Sequence, residues 1–596
     1  MRARRSWLRA VRALAGVLAA AGALGQPPAA AAERDATPAP PADRSGVRVG
    51  VVHGTLKVRP GTPVPDAAAI ALDAARNEFE PYQIVVGGGA RGAKAISARA
   101  SALASRGGTG RIGAENVRLY REALYDVRRR SNVEGARGPW PDALVPDVDA
   151  YDGQRRNAFP FDVPAGESRA IWVDVFVPEG TPPGAYRGTV EVESAGRPVA
   201  TVRVELRVRA FSLPSTATLR SAFGFSVDVV CRAHEGGRFC RDGAQATPLV
   251  ERYVRAALDH RVTLMTPYYT LPSGASWREF DEAVAPFLEG TARTRLRGAR
   301  LTAFRASYRR KADPGWERSR TELVRAHFRE RGWADRLFDY TYDEPRACVP
   351  EVPARARVAH AAGVRTLVTT DVERLRACGW DDDVDILCPL VNQVHPAGGA
   401  SERARYAAFL SRPGKELWWY QSCMSHGCHE ESSCGEEQER DTAHGYPSYA
   451  IDAPAILARA MEWLSFSYGV AGELYWDTVA KLDSAWRDDG LCGFGGQGDG
   501  TLFYPGRPDV IGGTSSVPVE TIRLKLVREG MEDYEYLALL SSLGGDRRAA
   551  EEEARRVFPA APRASETTPE ALYDARRRIA DRIERLLAAR RGSAGR

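Results

Sequence analysis

Between residues 47 and 213 apolar positions come in short runs that Gly, Pro and Asp interrupt: 47–52, 68–72, 82–86, 117–120, 171–177, 188–192 and 199–208. Runs of this length and spacing, with no long amphipathic helix among them, predict an antiparallel β-sandwich. After Phe211-Ser212-Leu213-Pro214 the pattern changes. Strand-like runs at 219–225, 262–267, 300–304, 337–342, 365–370, 384–391, 416–420 and 472–476 alternate with helical periodicity at 248–260, 318–331, 352–362, 403–410 and 453–468. Eight such units predict a (β/α)8 TIM-type barrel rather than an open doubly wound sheet. Beyond it, 516–540, interrupted at Gly530, and 569–589 predict helices that cover the barrel. In the last of these Leu572, Ile579, Ile583, Leu586 and Leu587 form the apolar face, Thr568 is the N-cap, and Arg577, Arg578 and Arg585 belong to a solvated face.

Barrels carry their chemistry at the C-terminal ends of the strands. The fourth predicted strand ends abruptly in Asp343-Glu344-Pro345. Burying an unpaired carboxylate costs several kcal/mol, so two adjacent ones need either solvent or a function. Read alone, the pair divides evenly between a strand cap and a site. Other strand ends are decorated too: Tyr268 and Tyr269, Asp371, Asn392 and Gln393, Tyr420 and Gln421, Trp476 and Asp477. Singly, each is a packing or capping residue. At one common edge, aromatic faces with amide and carboxylate partners suit a sugar. The candidate catalytic residues are therefore Glu344 and Asp343, and the candidate substrate-binding residues are Tyr342, Tyr269, Asn392, Tyr420, Gln421, Trp476 and Asp477.

Neighbouring residues of a regular strand point to opposite faces, so Asp343 and Glu344 converge only where the strand ends and twists. That geometry does not place two carboxylates across a sugar ring, as ordinary retaining and inverting glycosidases do. It suits a division of labour in which Glu344 protonates the glycosidic oxygen and later activates water. Asp343 would orient the carbonyl oxygen of a substrate 2-acetamido group, the nucleophile. Two competing readings stand beside this one: a silent carbohydrate-binding protein on the same scaffold, and a glycosidase for sugars without the acetamido group.

The N-terminus adds a location. Arg2, Arg4, Arg5, Arg9 and Arg12 precede an apolar run and small residues at 29–32, the pattern of a secretory signal peptide over residues 1–32. Its removal lowers the formal net charge from +6 to about +1, and no basic stripe with interleaved aromatics remains for nucleic acid. No later run is long enough to span a membrane. The expected order is signal peptide 1–32, disordered Pro/Ala-rich linker 33–46, β-sandwich 47–213, barrel 214–545 and helical extension 546–596, in a secreted or periplasmic protein. Its nine cysteines then read as disulfides with one left over, Cys231 with Cys240 forming a local pair. Cys423, His426, Cys428, His429 and Cys434 match no standard zinc spacing and predict a stapled loop. Asp381-Asp382-Asp383 and Asp488-Asp489 are solvated turns. No metal or cofactor is expected; the partner is a glycan or glycoconjugate.

Several motifs together resemble glycoside hydrolase family 123. They are Arg76-Asn77-Glu78-Phe79-Glu80-Pro81-Tyr82-Gln83, Ile171-Trp172-Val173-Asp174-Val175, Tyr342-Asp343-Glu344-Pro345, Asp499-Gly500-Thr501-Leu502-Phe503-Tyr504-Pro505-Gly506, and the stretch from Ile522-Arg523-Leu524 through Arg528-Glu529-Gly530-Met531-Glu532-Asp533-Tyr534-Glu535-Tyr536-Leu537. The resemblance spans residues 48–545 and implies a β-sandwich before a (β/α)8 barrel. It also implies Glu344 as general acid/base, Asp343 as its acetamido-stabilising partner, and β-linked N-acetylhexosaminides, N-acetylgalactosaminides first, as substrates. The family's small C-terminal β-domain has no counterpart, since the last stretch reads helical.

Overall fold

A computed structural model describes residues 46–237, 240, 248–265, 267, 277–306, 314–422, 425, 444–544 and 547–594. The signal peptide and most of the linker lie outside the described residues, as do Tyr268, Tyr269 and the cluster from Cys423 to Cys434.

The runs before residue 213 fold into two facing sheets. One has the order Arg48–His53, Glu78–Gly87, Ser168–Val177, Val117–Val127, Gly138–Pro146, antiparallel throughout. The other runs Ala69–Arg76, Arg197–Ser212, Gly184–Ser194, Ala93–Ala100, Phe161–Val163. Its first pair is parallel, which corrects the expectation of a wholly antiparallel sandwich. Alternate residues face inward, so Tyr82, Ile84 and Ile171 of one sheet meet Leu72, Val190 and Val204 of the other in a shared core.

The second half forms a parallel sheet of seven strands, in the order Arg220–Phe223, Gly472–Tyr475, Glu416–Tyr420, Ile386–Leu387, Arg365–Thr369, Leu337–Asp343, Phe304–Arg305. It is a nearly closed barrel, and the expected second strand is absent as a strand. Residues 262–267 contribute a single bridge, Leu264 to Phe223. Hydroxyls take the place of ladder partners there: Thr263 N–H donates to Ser221 Oγ at 2.9 Å, Thr302 N–H to Thr263 Oγ1 at 2.9 Å, and Ser221 N–H to Thr302 Oγ1 at 3.1 Å. The sixth strand is also shorter than expected, because Val391–Val394 turns into a short helix. Ala222, Met265, Ala303, Phe338, Leu367, Ile386, Trp418 and Leu474 fill the interior, so the barrel is a packed core and not a pore.

The two halves meet on helix Ile522–Gly544. It runs unbroken through Gly530, where an interruption was expected. A Cβ at Gly530 would lie 2.1 Å from Glu462 Oε2, so the glycine admits the neighbouring helix Ala460–Tyr468 rather than ending its own. Every residue from Ile522 to Leu537 is buried, charged ones included. Arg523 makes paired 2.8 Å bonds to Asp142 of the sandwich, and Arg528 makes paired 2.9 Å bonds to Asp174. Lys525 adds Asp174 at 2.8 Å and Glu520 at 2.5 Å. Asp533 binds Arg459 at 2.6 and 2.9 Å and Arg576 at 3.0 Å. Arg576, from the last helix Pro569–Ala594, continues to Glu80 at 2.9 Å and to Glu78. Burial pushes the Asp174 carboxyl upward, but Arg528 and Lys525 outweigh it and hold it well below the usual carboxylate range. The polar corner at Arg76–Gln83 is hydrogen-bonded as expected, with Asn77 at φ 61° and Ala75 N–H donating to Glu78 Oε2 at 2.5 Å.

Cys231 and Cys240 are bonded as expected, and Cys348–Cys378 ties the loop after strand Leu337–Asp343 to helix Val372–Ala377. Cys388 is the free cysteine among the described residues, buried inside the barrel.

Candidate active site

Strand Leu337–Asp343 does not alternate to its end. Against Arg365–Thr369 its register slips between Tyr340 and Tyr342, a β-bulge that leaves Thr341 as the extra residue. Phe338 and Tyr340 point into the barrel, while Asp339 faces outward to Arg355 at 3.1 Å and to the Thr341 hydroxyl at 2.9 Å. The bulge turns Thr341 and Tyr342 outward in succession, Tyr342 packing on the layer between strands and helices. Asp343 therefore points inward again. The Tyr340 hydroxyl donates to Asp343 Oδ1 at 2.9 Å, a contact that strict alternation would forbid at a spacing of three residues.

The next residue completes the turn. Glu344 has φ 47°, the left-handed region that a non-glycine residue occupies at a cost of roughly 1–3 kcal/mol. Its N–H donates to Thr369 Oγ1 at 2.8 Å, and the Thr369 hydroxyl reaches Asp343 Oδ1 at 3.3 Å. Tyr420, at the end of strand Glu416–Tyr420, donates its hydroxyl to Glu344 Oε1 at 2.5 Å. Bulge and positive φ together bring two sequence neighbours to the same open end. Both are exposed, while Pro345 behind them is buried. Burial first, then the adjoining carboxylate, pushes the Tyr340 and Tyr420 phenols well above their ordinary range, so both stay protonated donors.

The other candidates divide. Tyr420 reaches the site through Glu344 and acts on its position. Tyr342 lies on the outer face, away from the pair, because of the bulge. Asn392 and Trp476 stand at the ends of the sixth and eighth strands, and the Asn392 Oδ1 and Trp476 Nε1 atoms are buried without a hydrogen-bond partner. Gln421 is buried in the wall. Asp477 accepts the Val479 N–H at 2.8 Å as a turn residue, and burial pushes its carboxyl up to about 6. Asp371 is a cap, accepting the Arg374 N–H at 2.8 Å. Among the described residues no group of His, Cys, Asp and Glu could hold a metal ion.

Three residues were missed in the sequence. Tyr340 and Thr369 read as ordinary strand residues. Phe494 was not singled out; it is 39% exposed at φ 48° and lies edge-on to Trp476 at 4.9 Å between ring centroids. Its signal was the aromatic between Gly493 and Gly495.

Residues 61–194 match the family model of the glycoside hydrolase 123 N-terminal domain. The fold is similar to that of a family 123 glycoside hydrolase from Clostridium perfringens, studied for glycolipid glycan hydrolysis. The likeness has a TM-score of 0.62 at 12% identity, over 92% of this chain and 99% of that one. A Bacteroides ovatus family 5 xyloglucanase (9% identity, 81% and 100% covered) and a Bacteroides cellulosilyticus family 39 glycoside hydrolase (11%, 70% and 77%) give TM-scores of 0.27 and 0.30, too low to inform the argument. No curated protein matches the chain. The chain is thus similar to glycoside hydrolase family 123 in its N-terminal sequence and in its fold, and among the described residues no helix is long and apolar enough to cross a membrane.

Proposed function

We propose that the chain is an exported glycosidase that cleaves β-linked N-acetylhexosaminides, N-acetylgalactosaminides foremost, by a substrate-assisted retaining mechanism. One observation carries this reading: Asp343 and Glu344 stand side by side at the exposed end of one strand, each braced by a phenol. Glu344 donates its proton from Oε2 to the glycosidic oxygen, and the same group later takes a proton from water. Asp343 lies on the same side of the substrate as Glu344. It is placed to hold the N–H of an acetamido group whose carbonyl oxygen attacks the anomeric carbon. Neighbouring carboxylates do not bracket a sugar ring, which is why the nucleophile is assigned to the substrate. Trp476 with Phe494 supplies an apolar face for the sugar ring. The scaffold is a (β/α)8 design whose second strand has shrunk to one bridge. The disulfides fit an oxidising compartment, secreted or periplasmic.

The test is a panel of aryl β-glycosides with and without the 2-acetamido group. Turnover confined to the acetamido substrates, and lost in Glu344→Gln, is the expected result. Equal cleavage of both kinds would remove the acetamido from the mechanism. Glycan binding with no turnover of any substrate would leave a binding protein.

A further inference from the structure

The sandwich has a cleft of its own. At one end the two sheets diverge, and a space of about 630 Å³ opens between them. This is a volume typical of small-ligand sites. Its floor is apolar and belongs to the inter-sheet core: Ala98 and Ala100 from one sheet, Val117 and Leu119 from the other, and Phe159. The two alanines leave room there, since the preceding inward position of the same strand carries Ile96. The rim is ionic and mixed. Arg99 lies directly across from Glu191 on the neighbouring strand, Arg155 stands 3.7 Å from Asp147, and Arg118, Glu115, Asp149 and Glu193 complete the circuit.

Strand Val117–Val127 relates this cleft to the barrel. Its first residues line the cleft, and its last lead into the segment where Arg128 and Arg129 pair with Asp488 and Asp489 at 2.8 and 2.6 Å. Those aspartates belong to the loop that follows the eighth barrel position. Ten residue steps of extended chain separate the two ends, roughly 30 Å. The cleft is thus a separate place from the barrel mouth.

We propose that this cleft is a second, non-catalytic site that binds a saccharide. With three arginines against five carboxylates, Asp149 and Glu193 included, the lining carries an excess of negative charge that repels a polyanion, while its guanidinium donors and carboxylate acceptors match hydroxyls, each of which both donates and accepts. The apolar floor takes the C–H face of the ring. Held there, one arm of a branched or clustered glycan raises the concentration of the others at the barrel. The choice of a saccharide rests on the glycosidase reading above.

Full-length protein carrying Glu344→Gln is titrated by calorimetry with neutral oligosaccharides that contain N-acetylgalactosamine, N-acetylglucosamine or galactose. The expected result is a site whose affinity falls at least fivefold in Arg99→Ala/Arg155→Ala, two exposed positions, and in Ala98→Leu, which fills the floor. The same changes in otherwise unaltered protein leave turnover of a small aryl glycoside and the thermal midpoint unchanged. Binding indifferent to all three substitutions, or no saccharide bound at the rim, overturns the proposal. Rim-dependent binding without aryl-glycoside turnover leaves the cleft standing and removes the glycosidase reading; turnover without rim-dependent binding does the reverse.

Discussion

The chain gathers carboxylates in two places and surrounds them oppositely. On helix Ile522–Gly544 the residues Glu529, Glu532 and Asp533 are buried, and the guanidinium groups of Arg528, Arg261, Arg459 and Arg576 converge on them. At the barrel mouth Asp343 and Glu344 are exposed, and the groups that brace them are hydroxyls: Tyr340, Thr369 and Tyr420. The first set locks sandwich, barrel and C-terminal helices together. The second is held by hydroxyls at an exposed strand end, which suits the proton transfer proposed for it. Density of charge in the sequence therefore marks the joint of this protein, while the candidate site is a pair of residues.

This contrast is sharpest where each region loses a single group. Glu344→Gln should lower kcat by about 10²–10⁴, the range for removing a general acid, with the thermal midpoint kept. Unfolding at lower temperature would show that Glu344 belongs to the joint. Arg528→Met should do the opposite. It leaves Asp174 facing Lys525 alone and should cost about 3–5 kcal/mol of stability, read as a lower denaturation midpoint. Protein that does fold should keep its kcat. A stable, inactive Arg528→Met protein would break the division between joint and mouth.

Titration separates paired from unpaired burial. Glu122 is buried in the sandwich with neither carboxylate oxygen partnered, and burial pushes its carboxyl up to about 8. The folded protein then holds a proton that the unfolded chain has lost above about pH 4.5. Stability from this group is full below that pH and falls as pH rises to 8, by up to ~1.4 kcal/mol per pH unit. His234 and His260, both pushed down to about 3 by burial, act the other way, but only below their ordinary value near 6.5. Burial pushes Glu78 and Glu473 up to about 8 and Lys57 down to about 7 as well, so the Glu122 carboxyl is read as a difference between two proteins. Urea midpoints should fall less steeply between pH 6.5 and 8 in Glu122→Gln than in the natural protein. An equal fall in both would assign the slope to other groups.

Strands with long apolar runs were legible in the sequence: 416–420 is a strand to the residue, and the fourth strand differs by one residue at its end. Positions two and three were not, because Ser221, Thr263 and Thr302 hydroxyls replace part of the ladder there. Ala93–Ala100 and Gly138–Pro146 were missed as strands, one rich in alanine and the other holding Pro139 and Pro141, both contrary to strand propensity. In the site the carboxylate pair was legible from the abrupt end of an apolar run. Its braces were not, since the bulge at Thr341 has no mark in the sequence and changes which residues share a face. Arg576 sits next to positions read as solvated, yet the last helix turns it into the joint.

Thr369 offers the smallest and most specific test. Its hydroxyl touches both members of the pair, accepting the Glu344 N–H and reaching the Asp343 carboxylate. Thr369→Val keeps the volume and the β-branch, so strand Arg365–Thr369 should persist and the thermal midpoint should hold. Without the acceptor, the strained turn at Glu344 loses one restraint, worth about 0.5–1.5 kcal/mol for a single hydrogen bond. That corresponds to a loss of roughly three- to tenfold in kcat, with KM little changed. An unchanged kcat would mean that Tyr420 alone positions Glu344. Since Tyr420 reaches only the carboxylate and Thr369 only the backbone, the two substitutions together should then cost no more than Tyr420→Phe.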